Sequence, residues 1–190
     1  LKNNDKDEPH CNFNDVLSTV NDIIILSGTI NGLIGKLFVK GRIEEIEEIY
    51  SNLKKKFKNN FYIEIQRHGD ENEKTFEQFN LNLSKKLDIP IIATNEVFYI
   101  SKDMHDAHDA LICIGNKTYL NEKNRVKYSN NHYLKSDNEM EKIFSDLPEA
   151  LENNYNLIYK CNFKPSFSKP VLPNISSDKG GNADENLIED

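Results

Sequence analysis

Phe61-Tyr62-Ile63-Glu64-Ile65, followed by Gln66-Arg67-His68-Gly69, reads as a short strand running into a loop. It lies between two amphipathic segments. On its amino side, residues 41–57 place Ile43, Ile46, Tyr50, Leu53 and Phe57 at spacings of three and four, which is one face of a helix. Glu44, Glu45, Glu47 and Glu48 fall in its first half and Lys54, Lys55, Lys56 and Lys58 at its end, the order that a helix dipole favours. On the carboxyl side, residues 71–87 repeat the pattern with Phe76, Phe79, Leu83 and Leu87. Apolar runs at 22–26 and 90–94 flank these helices, so the segment reads strand, helix, strand, helix, strand. Connections of that length carry crossover helices and make the strands parallel. Parallel sheets gather function at the carboxyl ends of their strands. Those ends are Ser27-Gly28-Thr29, Gln66-Arg67-His68 and Asn95-Glu96-Val97-Phe98.

Outward from this core the pattern loosens. Residues 1–10 read as a loop and 13–20 as a short helix. Gly28, Gly32, Gly35 and Gly41 read as punctuation between elements. Past residue 100, the expected elements are a helix over 103–114, a polar loop over 115–131, and helices over 137–144 and 148–161, the last with Pro148 at its first position. Pro165, Pro170 and Pro173 then break any regular element, and residues 176–190 read as a polar, acidic linker.

Composition narrows the classes. Across 190 residues, 24 Lys and Arg face 31 Asp and Glu, a formal net charge of −7. A free-standing DNA-binding module carries a basic excess, because phosphate contacts supply most of its affinity. The balance excludes that class but not an acidic part of a larger nucleic-acid enzyme. No apolar run approaches the roughly 20 residues of a membrane span, and no signal peptide is visible; the expected location is cytoplasmic, without a membrane partner. Cys11, Cys113 and Cys161 form no CxxC pair and suggest neither a disulfide framework nor a zinc ribbon. A chain opening on Leu1 reads as a piece of something longer.

Two groups of residues carry chemistry. Asp103-Met104-His105-Asp106-Ala107-His108-Asp109 places His105 and His108 three apart on one helical face beside carboxylates, a spacing able to hold a divalent metal. The plainer reading is a polar helix start, with the acids favouring the dipole. His68, between a strand and a glycine, is the better-placed single residue. No phosphate loop, dinucleotide fingerprint or nucleophile elbow occurs.

The strand-end series Ile24-Ile25-Leu26-Ser27-Gly28, Ile63-Glu64-Ile65-Gln66-Arg67-His68-Gly69, Ile92-Ala93-Thr94-Asn95-Glu96-Val97, Asp106-Ala107-His108-Asp109 and Ser145-Asp146-Leu147-Pro148-Glu149-Ala150-Leu151 resembles one family, in order: the polymerase-and-histidinol-phosphatase (PHP) domain of bacterial DNA polymerase III alpha subunits. The likeness runs over residues 13–175, and Val171-Leu172-Pro173 is similar to the passage leading into the polymerase palm. Composition and periodicity alone give only a parallel α/β segment followed by helices. The resemblance implies an α/β fold, part of a PHP-type distorted (β/α)7 barrel with parallel strands, followed by a helical segment and a linker toward the palm. Residues 1–114 would hold the later barrel strands and helices, 115–163 the helical segment joining them to the palm, and 164–190 the linker and start of the palm. The family's amino-terminal HxH segment and the palm's catalytic aspartates find no match, so this chain would carry no catalytic residue itself. A part of a barrel should also leave an unpaired sheet edge.

Departures from the family pattern bear on the metal. Where metal-holding members have a Cys after the Leu-Ser-Gly strand end, this chain has Thr29. Where they have Asp-x-His, it has Glu96-Val97-Phe98. A hydroxyl and a phenyl ring thus replace a thiolate and an imidazole, and losing two ligands should abolish tight binding. Thr29, Glu96 and Phe98 would be vestigial ligand positions, with Phe98 a packing residue at the mouth, in apolar and aromatic contact. His68, Asn95 and His108 would line the pocket, and no cofactor would be held. The parent's Mg²⁺ would sit in its palm. The resemblance implies a replicative DNA-directed DNA polymerase as parent, acting on primed DNA and deoxynucleotides, with this region supporting the proofreading exonuclease subunit. The rivals are a metal-dependent PHP phosphoesterase and a non-catalytic protein-interaction domain.

Overall fold

The computed structural model describes residues 12–19 and 22–167. The expectations for residues 1–10, for Val20, for Pro170 and Val171-Leu172-Pro173, and for 176–190 lie outside these residues. The elements are α1 (Phe13–Thr19), β1 (Ile25–Leu26), α2 (Leu33–Val39), α3 (Ile43–Phe57), β2 (Phe61–Ile65), α4 (Glu73–Leu87), β3 (Ile91–Ala93), α5 (His105–Asn116), α6 (Asp137–Ile143) and α7 (Pro148–Lys160). Residues 1–160 form one unit and 161–190 a second, of which residues 161–167 are non-helical and exposed.

The three strands are parallel in the order β1-β2-β3. Phe61, Ile63 and Ile65 alternate onto one face of the sheet and pack with Ile91 and Ala93 against Ile34 and Leu37 of α2, Ile46, Tyr50 and Leu53 of α3, and Phe76 and Leu83 of α4. Burying each large side chain there contributes about 1.5–3 kcal/mol. On the opposite face stand Tyr62, Glu64 and Gln66, with Ile92 and Thr94 of the third strand. Its polar members pair with one another: Gln66 Nε2 donates to Thr94 Oγ1 at 2.9 Å, and Thr94 Oγ1 donates to Glu64 Oε1.

The structure alters three expectations. First, the described strands form an open sheet rather than a closed barrel. Beyond it the described residues form one further isolated parallel bridge, between Tyr99 and Tyr133, too few strands for the tilt and stagger that closure requires. Second, the first strand is only two residues long, since only Ile25 and Leu26 pair with the second strand, opposite Phe61 and Tyr62. Third, Gly35 does not break the chain but lies inside α2. A Cβ there would stand 2.0 Å from the Ile30 carbonyl oxygen, so glycine lets the helix rest on the preceding loop.

The outer edge of β3 is not left open, while β1 has no strand on its outer side among the described residues. Asn153 and Asn154 of α7 donate through Nδ2 to the carbonyls of Ile91 (2.8 Å) and Ala93 (2.7 Å), which point away from β2. Two side-chain amides do the work of a neighbouring strand and cover an edge that would otherwise invite pairing. The helix is seated by Ala150, which is fully buried.

Candidate metal centre at the strand ends

The turn after β2 builds the site. Gly69 has φ +82°, the left-handed region that favours glycine, and the chain reverses there into α4. Glu73, in the first turn of α4, reaches back. Its Oε2 accepts the backbone N–H of His68 at 2.8 Å and of Gly69 at 2.7 Å, and its Oε1 lies 3.2 Å from His68 Nδ1. Burial pushes the Glu73 carboxyl up, but the His68 ring and the two backbone donors outweigh it and hold the group below the usual carboxylate range. A carboxylate at Nδ1 assigns the ring proton to that nitrogen and leaves Nε2 with its lone pair. Nε2 accepts the Glu96 N–H at 3.2 Å, and Asn95 Oδ1 stands 3.0 Å away. Asn95 is itself held by Tyr133 O at 2.8 Å and Lys135 Nζ at 2.7 Å.

A second histidine arrives from the far side of α5. Residues around Tyr99 and Tyr133 run side by side in parallel: Phe98 donates its N–H to His132 O at 2.9 Å, and Leu134 donates to Tyr99 O at 3.0 Å. This sets His132 face to face with His68, ring centroids 4.0 Å apart and planes 4° from parallel. Both residues are buried. Phe98 stacks on His132 at 5.0 Å and His108 on Phe98 at 5.2 Å, giving a connected series of four rings with Tyr128 packed against it. His132 Nδ1 lies 3.3 Å from Glu96 O and 3.8 Å from Glu96 Oε2. His132 Nε2 lies 3.3 Å from Asp70 Oδ2, but not in hydrogen-bonding geometry, and has no hydrogen-bond partner. Burial and the adjacent His68 push the His132 imidazole below its ordinary pKa, favouring the neutral ring.

His68, Asp70 and His132 therefore bring donor atoms within 4.8 Å of one another, and among the described residues they are the one such group. A cleft of about 780 Å³, bordered by Asp70, Glu96, Ile30, Lys36, Lys40 and Tyr128, opens beside them. On the other side of the turn, Arg67 spends all five N–H donors. It binds both oxygens of Glu77, both oxygens of Asp146 and the carbonyl of Ile143, at 2.5–3.0 Å. Its guanidinium also lies over the Phe144 ring, 4.9 Å from the centroid. The strand end is thereby pinned to α4 and to the α6–α7 junction.

The residues singled out in the sequence fall as follows. His68, Asn95, Glu96, Phe98 and His108 converge around His132. Thr29 lies apart, bordering a small crevice with Gln66, Glu73 and Phe76. Phe98 keeps 36 % of its surface exposed, and its ring stacks between His132 and His108 with Tyr128 against it. His105 and His108 share no ion site: His105 faces Tyr128 O at 3.1 Å and Asp106 Oδ1 at 3.0 Å, while His108 lies against Phe98. The expectation that the chain holds no metal drew on Thr29 and Phe98, whose side chains do not suit a metal: a phenyl ring has no donor atom. The gathered triad lies elsewhere. Asp70, Glu73 and His132 went unread. The available signal was Tyr133-Leu134, a short β-prone pair closing a polar loop.

Comparison with known proteins agrees with the strand-end motifs. The PHP-domain family model matches residues 1–68. DNA polymerase III subunit alpha of Rickettsia bellii is 38% identical over 168 residues, covering 88% of this chain and 14% of that protein. The same subunit of Caulobacter vibrioides is 33% identical over 165 residues, covering 87% and 14%. That of Borreliella burgdorferi is 35% identical over 167 residues, covering 87% and 15%. The chain spans about a seventh of the length of these relatives. With the parallel α/β unit and the motifs in order, the chain belongs to the DNA polymerase III alpha-subunit family and represents PHP-domain sequence within it.

Proposed function

We propose that this chain is a structural PHP region of a replicative DNA-directed DNA polymerase, that its family-type metal centre has decayed, and that it supports the proofreading exonuclease subunit. The parent would extend primed DNA with deoxynucleotides by phosphoryl transfer, using Mg²⁺ held by palm carboxylates outside these residues. The observation that carries the reading is Phe98. At a position where metal-holding relatives have an imidazole, this chain has a ring stacked between His132 and His108. Thr29, in place of a thiolate, supports it. A hydrolytic centre at the family-type positions needs several donors converging on one open ion position; Phe98 supplies none, and Thr29 offers a neutral hydroxyl in place of a thiolate.

The test uses the full protein in two assays. With Mg²⁺ and a primed template it should extend the primer. With its palm inactivated and Mn²⁺ or Zn²⁺ supplied, it should hydrolyse no phosphate ester above a buffer blank. Metal-dependent hydrolysis that disappears in Glu96→Gln would overturn the structural reading in favour of a phosphoesterase.

A further inference from the structure

We propose that His68, Asp70 and His132 form a transition-metal site, with Zn²⁺ the cation suited to their donors, distinct from the family-type positions 29, 96 and 98. Two acceptors lie close together beside the stacked rings. His132 Nδ1, 3.3 Å from the Glu96 carbonyl oxygen, carries the proton, so Nε2 presents a lone pair. Asp70 Oδ2 stands 3.3 Å from that buried nitrogen, off the line of its lone pair and with no hydrogen bond made. Two electron-rich atoms so placed repel unless a cation lies between them. A separation of 3.3 Å is also close to that of two ligands on a tetrahedral Zn²⁺ with bonds of about 2.0–2.2 Å. His68 supplies the third donor: Glu73 fixes its Nδ1 proton, the arrangement in which a carboxylate orients a metal-binding imidazole through its other nitrogen.

Two histidines and a carboxylate with an open fourth position match a common set for zinc and other divalent transition ions. The cleft bordered by Asp70 and Glu96 gives the ion access and leaves room for a water in that position. Two adjustments are required. His68 Nε2 must release the Glu96 N–H that it accepts at 3.2 Å. Ring lone pairs lie in the ring plane, and the two rings are parallel at 4.0 Å, so one ring must turn for both to face one ion. His132 is the ring held by fewer hydrogen bonds, a single 3.3 Å contact to Glu96 O, so its turn, against the stacking of His68 and Phe98, is the one required.

The test is Co²⁺ titration of the full protein followed by visible absorption, with Zn²⁺ competition and thermal unfolding as second readouts. Two variants serve: Asp70→Asn, and His132→Phe, which keeps an aromatic ring in the stack and removes the donor. The wild type should show ligand-field bands, saturating at one equivalent more than either variant, that Zn²⁺ displaces. Zn²⁺ should raise its unfolding temperature. Affinity for this equivalent should fall by about 10–100-fold or more in the variants. Ions held elsewhere contribute equally to all three proteins and cancel in the difference. If His132→Phe fails to fold, Asp70→Asn decides alone, since its carboxylate is partly exposed and its replacement keeps the shape. Identical spectra and unfolding shifts in wild type and Asp70→Asn would overturn the site.

Discussion

Replacing Arg67 by lysine keeps the positive charge and removes the fork. In the wild type five N–H groups meet five acceptors, namely both carboxylate oxygens of Glu77, both of Asp146 and the carbonyl of Ile143. A lysine ammonium has three donors at one point and cannot span two carboxylates and a carbonyl in this arrangement. Solvent exposure sets the magnitude. The side chains of Arg67 and Glu77 retain 21% and 15% of their surface, while Asp146 retains 63%. Breaking a fully buried pair by removing one partner costs about 3–5 kcal/mol, and an exposed pair contributes about 0–1 kcal/mol. The Glu77 arm lies near the first case and the Asp146 arm near the second. Arg67→Ala should therefore destabilise the region by about 2–4 kcal/mol, and Arg67→Lys by about half of that. Urea unfolding of the full protein, followed by hydrogen exchange of amides in residues 61–94 and 143–160, localises the loss. A lysine variant within about 0.5 kcal/mol of wild type, the ordinary scatter of surface substitutions, would refute the argument that fork geometry, rather than charge, holds this junction.

Further outcomes follow from the same contacts. Phe98→Ala should cost about 2–3 kcal/mol, roughly two-thirds of the penalty for a fully buried ring, read as a lowered unfolding midpoint; an unchanged midpoint would mean that the ring stack contributes nothing. Asn153→Ala and Asn154→Ala should each cost about 1 kcal/mol and raise aggregation on light scattering, because each leaves an edge carbonyl of the third strand without its donor. The Arg67 guanidinium holds the Asp146 carboxyl below its ordinary value. The resulting stability is present above the unfolded aspartate pKa of about 3.9 and is lost as pH falls through the lower folded value. Asp146→Asn should accordingly be less stable than wild type at neutral pH, by less than about 1 kcal/mol given its exposure, and the gap should close on acidification below pH ~4; a gap independent of pH would exclude the ion pair as its cause.

The sequence made the strand-helix alternation readable because each element carries its own period. The run Phe61–Ile65 was delimited to the residue, since helical residues end directly before it and the polar loop beginning at Gln66 follows it. The helices over 43–57 and 73–87 came within two residues of their observed starts. The segment Leu33–Val39 was unreadable for a tertiary reason: Gly35 looks like a breaker locally, and its purpose is visible only once Ile30 lies beneath it. The edge amides of Asn153 and Asn154 were equally hidden, because asparagine on a helix reads as solvated surface until a strand carbonyl stands opposite. Of the candidate centre, His68, Asn95 and Glu96 were found from their places at strand ends. His132 was not, because it follows an irregular polar stretch and only the Tyr99–Tyr133 bridge brings it onto His68.

The supporting role is tested most directly by hydrogen exchange of the full protein with and without the proofreading exonuclease subunit of the same organism. The account predicts a complex in which amide exchange slows within residues 13–160. Absence of a complex, or a complex whose protection falls wholly outside those residues, would contradict it.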